Sequence, residues 1–170
     1  MNQEPTAAPQ PPTQPTPNPL VGVGGWLAFF CFILVALNPL LTLFSFFTIH
    51  KTIEALRTLN PEAAQVLDSF TSFSGVLSFT LAAFSVVAGI LLIRRARNAV
   101  LIAKIYTAAV PTVALLALLP VFGSSASPEL REGMVQGGVQ DLIKSLGFFA
   151  IWFTYLSRSR RVKNTYATNA

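Results

Sequence analysis

Asp141 and Lys144 come nearest to chemistry: an acid and a base three positions apart inside an apolar stretch can exchange a proton or hold a cation. An ionisable group at the centre of a membrane helix costs about 2.5 to 3.5 kcal/mol, so each one present needs a reason. Asp141 is the candidate proton or cation site, with Lys144 as its counter-charge. The pair lies only one or two turns inside its stretch, which favours the simpler reading of an interfacial ion pair whose lysine snorkels outward. Asn38 is the third candidate, because Pro39 follows it near mid-membrane and removes a backbone donor there; Pro111 does the same further on. Each helix should kink or locally unwind at its proline. The freed carbonyl then either meets an ion or substrate or, more commonly, is relieved by a neighbouring helix.

Other chemistry is sparse. One histidine, His50, and one cysteine, Cys31, build neither a metal site nor a disulfide, so no cofactor and no metal are expected. Neither GxSxG nor HExxH occurs, and Gly22-Val23-Gly24-Gly25 lacks the preceding strand and following lysine of a phosphate loop. No catalytic residue is assigned, and the chain reads as a non-enzyme. A cleft around His50, Glu54 and Arg131 would be needed to argue otherwise.

The elements that must position these residues are four apolar stretches, about 26–49, 70–93, 99–122 and 138–157. Each has the length a bilayer core demands of a helix, and inside hydrocarbon only a helix pairs its own backbone. Hydrophobic residues make up 52% of the chain and charged residues 11%, which leaves no room for a soluble catalytic domain. The fold class is therefore all-α: a polytopic membrane protein with four transmembrane helices over residues 20–157. Residues 1–19 form a proline-rich tail expected to be extended, with Pro12-Thr13-Gln14-Pro15 a compositional PxxP match and no signal-peptide pattern. Residues 158–170 form a basic tail.

Loop charge sets the orientation. Arg94, Arg95 and Arg97 after the second stretch and Arg158, Arg160, Arg161 and Lys163 after the fourth stand against Lys51, Arg57 and Arg131 on the other side. Seven against three places both termini in the cytoplasm. The seven, with Lys104 as a snorkelling anchor, are topology and lipid anchors that face anionic headgroups rather than nucleic acid. Asn60-Pro61-Glu62 and Ser127-Pro128-Glu129 read as capped helix starts outside the membrane. A helix from Pro61 to Ile93 would be roughly 50 Å long and should project or bend at the surface. The segment from Ile53 to Phe70 keeps a helical apolar spacing and should lie against the membrane or the bundle. Ser78, Ala82, Ser85 and Gly89 form a stripe of small residues where another helix can approach closely.

Gly24-Gly25-Trp26-Leu27 with Asn38-Pro39-Leu40, Lys104-Ile105-Tyr106, Trp152 to Tyr155, and the closing Ser159-Arg160-Arg161-Val162-Lys163-Asn164-Thr165-Tyr166 resemble the domain of unknown function 2569 family. The resemblance spans about residues 20–166 and implies a four-helix bacterial inner-membrane protein. It carries no activity, substrate or catalytic residue. The leading functional expectation is a non-enzymatic assembly or accessory protein that contacts membrane lipids and a membrane partner or a second copy. The alternative is a small-solute or ion transporter in which Asp141, Asn38 and Pro111 converge on one cavity. The orientation is open to direct test: a cysteine at Ser125 should react with an impermeant label from outside the cell and one at Thr168 only after the inner face is exposed, and the reverse pattern would overturn it.

Overall fold

The computed structural model describes residues 22–123 and 127–166. The tail 1–19 with its PxxP match, Ser125 and Thr168 lie outside the described residues. All described elements are helical: α1 (Trp26–Leu59), α2 (Pro61–Ile93), α3 (Ala99–Phe122), α4 (Pro128–Arg158) and α5 (Arg160–Tyr166). Three of them, α1 to α3, are long and apolar enough to cross a membrane. The polar start of α4 and the charges Asp141 and Lys144 further along set it apart from those three. Many exposed side chains on α1 to α3 are large and apolar, Leu40, Phe44, Phe47, Val76 and Leu101 among them, a surface suited to hydrocarbon or another protein.

Helix ends follow local chemistry. The Asn60 side chain accepts from the Ala63 N–H at 3.1 Å and the Ser127 hydroxyl from Leu130 at 3.4 Å, each with proline next and an acid in the first turn. The first and fourth apolar stretches lie inside longer helices. α1 continues past Ile49 to Leu59, where the single residue Asn60 connects it to α2, and α4 starts at Pro128, the helix start read from Ser127-Pro128-Glu129. The segment around Ile53 is thus the end of a helical hairpin, with Ile53 and Ala64 buried within it and Arg57 paired to Asp68 at 3.4 Å. At the other end of α2, Arg95 N–H bonds Leu92 O and Ala96 N–H bonds Leu91 O, a Schellman ending with Arg95 at φ +53°.

Consecutive helices pack side by side, α1 on α2, α2 on α3 and α3 on α4. The termini and the α2–α3 turn share one end of the bundle; the other end carries the α1–α2 and α3–α4 connections and is called here the hairpin end. At the termini end α1 and α4 meet through rings, with Phe30 stacked on Trp152 at 4.3 Å between centroids and Phe148 beside both. The main core lies in that half, built from Leu27, Phe30, Leu34, Leu92, Tyr106 and Trp152 among others.

Inside α1, residues Ile33–Leu37 form a π-helical turn just before Pro39. A proline ring clashes with the carbonyl four residues back, and a wider turn relieves the clash. Gly89 of α2 lets this bulge seat: a Cβ there would lie 2.5 Å from Val35 Cγ2 and 3.0 Å from Leu34 Cβ, while one on Gly75 would meet nothing within 4 Å. Gly89→Val should therefore lower stability by about 1 to 3 kcal/mol through overpacking, whereas Gly75→Val should change it far less; thermal midpoints of the two variants in detergent check the contrast.

Candidate functional site

The site begins with a backbone deficit. In the π-helical turn the Asn38 N–H reaches back five residues to Ile33 O. The Leu34 carbonyl thereby loses its usual donor, and the next position, Pro39, has no N–H to offer. An unsatisfied carbonyl at membrane depth is costly. The fully buried Ser85 of α2 donates its hydroxyl to Leu34 O. Ser85 is also a side-chain partner of the Tyr106 hydroxyl on α3, and that hydroxyl accepts from Asn38 Nδ2 at 2.6 Å. Asn38, Tyr106, Ser85 and Leu34 thus link three helices in one chain of hydrogen bonds, and Phe148 of α4 packs edge-on to Tyr106 at 6.4 Å. We call this layer the lock.

One turn toward the hairpin end from the lock stand Leu41, Leu81, Val110 and Ser145, and all of them line crevices. One crevice, about 460 Å³, runs between α1 and α2 and reaches Asp141; another, about 500 Å³, runs among α2, α3 and α4. They share Leu67, Phe70, Ser74, Ser78 and Asp141, so they meet along α2. A third hollow of about 560 Å³, lined by Glu62, Gln65 and Ser69, joins at Phe70 and forms a polar mouth. The bundle is thus closed by rings and the lock at the termini end and split between α1 and α4 at the hairpin end.

The residues singled out from sequence divide between these features. Asn38 belongs to the lock. Asp141 and Lys144 form a 3.2 Å ion pair with side chains 72% and 73% exposed, Asp141 at the crevice and Lys144 beside it. Asn38 and Pro111 line neither crevice that Asp141 lines, so the three do not converge. Ala82, Ser85 and Gly89 are buried, whereas Ser78 is exposed on the crevice wall. α3 runs unbroken through Pro111 and Pro120. Lys104 places Nζ 5.7 Å above the Phe153 ring of α4. His50 packs edge-on to Phe46 at 4.3 Å, and no three metal-ligating residues cluster among the described residues.

At the termini end the two segments flanking the bundle clasp each other. Gly22 N–H donates to Thr165 Oγ1 at 3.1 Å, and the Thr165 hydroxyl lies 3.4 Å from Gly22 O. The Tyr166 hydroxyl donates to Leu92 O at the end of α2 at 2.7 Å; burial pushes its pKa upward, so it stays a protonated donor. A family model described as a protein of unknown function, DUF2569, matches residues 20–167. The chain belongs to that family. The DUF2569 match takes in both clasping segments, which stand 143 positions apart in sequence, and leaves out the proline-rich tail. No curated protein and no solved structure matches the chain.

Sequence reasoning missed Tyr106 as the partner of Asn38, and Thr165 and Tyr166 as clasp residues. A local signal existed for a deficit though not for its partners: Pro39 withholds the N–H that Val35 O would take in an α-helix, and the π-helical turn moves that deficit to Leu34. Two variants separate lock from crevice. Tyr106→Phe removes the acceptor of the Asn38 amide and should cost about 1 to 3 kcal/mol. Neutralising Asp141 and Lys144 together (Asp141→Asn, Lys144→Gln) should cost under about 1 kcal/mol, as for an exposed pair. Thermal midpoints of the two variants measure both.

Proposed function

We propose that this DUF2569 protein is a non-enzymatic membrane assembly or accessory protein whose split face, between α1 and α4, receives a transmembrane helix of a partner or of a second copy. In this reading α4 is the fourth span, over residues 138–157. Both termini lie in the cytoplasm, and the membrane is the inner membrane of a bacterial cell. The observation that carries the proposal is the crevice wall on α2. Thr71, Ser74, Gly75 and Ser78 present small side chains there, and the Gly75 position opens onto space where a Cβ would touch nothing within 4 Å. Small residues let helix backbones approach closely, and packing of that kind drives association in lipid, where the hydrophobic effect between helices is absent.

A transporter is the second reading, favoured by Asp141, which lines both crevices. The lock stands across any path from these crevices to the termini end, so transport would require Asn38, Tyr106 and Ser85 to part. A photo-crosslinking residue at Ser78, with Leu101 on the exposed face of α3 as the control, distinguishes the readings in whole membranes. One discrete protein adduct from Ser78 and none from Leu101 is the expected result. Adducts to lipid alone, together with a solute flux abolished by Asp141→Asn, would move the assignment to transport.

A further inference from the structure

The face of α4 that borders the split carries groups the chain's own packing leaves unused. Among the described residues, Asp141 is the one charged residue on the walls of the two crevices that open there, and Lys144 pairs with it at 3.2 Å. An occupant of the split must therefore answer an acid and a base together. Gly133, Gly137, Asp141, Lys144 and Gly147 recur at spacings of four, four, three and three, one helical face, and all are exposed. Glycine is, after proline, the weakest helix former, so each one within α4 needs a reason. Gly138 has one inside the fold, because a Cβ there would run into Leu118 of α3. Gly133, Gly137 and Gly147 have none, since a Cβ on any of them would meet nothing within 4 Å.

We propose, resting on the split-face reading above, that the occupant is α4 of a second copy, docked about a two-fold axis with Asp141 of each copy paired to Lys144 of the other. A two-fold interface brings a surface against its own duplicate, so the surface must be self-complementary. This one holds an acid and a base one turn apart, with glycines on either side that let the two backbones approach. With the two α4 helices parallel, a level of acids lies about 4.5 Å along the axis from a level of bases, so each carboxylate faces ammonium groups of both copies. A different protein would have to supply a matching acid and base at that spacing, whereas a second copy has them already.

The test uses the full-length chain with one of two affinity tags, both forms co-expressed and extracted in native nanodiscs, and reads recovery of the second tag on the first. The unaltered chain should co-purify with itself. Asp141→Lys against itself brings only lysines together and Lys144→Asp against itself only acids, so each should lower co-recovery about fivefold. Co-expressing one variant with the other should restore it, because every acid then faces a base, and restoration also shows that both variants fold. Gly137→Val, whose side chain meets nothing within the chain, should lower co-recovery while leaving the yield of folded protein unchanged. No co-recovery of the unaltered chain, variants that lose nothing, or a mixture no better than either variant alone would each overturn the pairing. The Ser78 crosslink separates that failure from failure of the split-face reading. An adduct to a different protein keeps a helix in the split and removes the second copy; adducts to lipid alone remove both.

Discussion

The structure turns on a single carbonyl. Pro39 forces α1 to widen, the widened turn takes the Asn38 N–H for Ile33, and Leu34 O is left to find a donor outside its own helix. In water such a group would be solvated at little cost. At membrane depth it must be met by protein, and Ser85 meets it. The bulge in turn needs Gly89 beside it, and the Ser85 hydroxyl leads on to Tyr106 and Asn38. A defect in one helix therefore sets where the second and third helices pack.

An asymmetric bundle follows. Below the lock the helices are tied by hydrogen bonds, by the rings of Phe30, Phe148 and Trp152, and by the clasp of Thr165 and Tyr166 on Gly22 and Leu92. Above it nothing comparable joins α1 to α4 among the described residues, and the crevices open along Ser74 and Ser78. Charge follows the same division, with basic residues gathered at the clasped end and ion pairs at the split end. A closed half and an open half lined with small residues suit a protein that holds another helix, which is why the assembly reading is preferred to catalysis.

Much of the fold was legible from sequence because membranes and helix ends impose local rules. Asn60-Pro61 and Ser127-Pro128 marked helix starts that the structure caps with those side chains. Gly89 and Ser85 could be read as a close-packing face from spacing alone. The full length of α1 could not, because Thr52 to Leu59 is polar enough to resemble a loop yet stays helical beyond the apolar stretch. The lock was only half visible: Asn38-Pro39 announces a missing donor, but its partners Ser85 and Tyr106 stand 51 and 68 positions away from Leu34 and Asn38. The two end motifs that carry the family resemblance stood out in the sequence, while their contact with each other needed the fold.

The central claim is that Ser85 matters because Pro39 withholds a donor from Leu34. A double-mutant cycle on Ser85→Ala and Pro39→Ala, read as unfolding free energy in detergent, tests it directly. With proline present, Ser85→Ala should cost about 1 to 3 kcal/mol. Alanine at position 39 restores a backbone N–H to the turn, so in that background the cost should fall by half or more. The same cost in both backgrounds would show that Ser85 stabilises the bundle for another reason and would contradict the account.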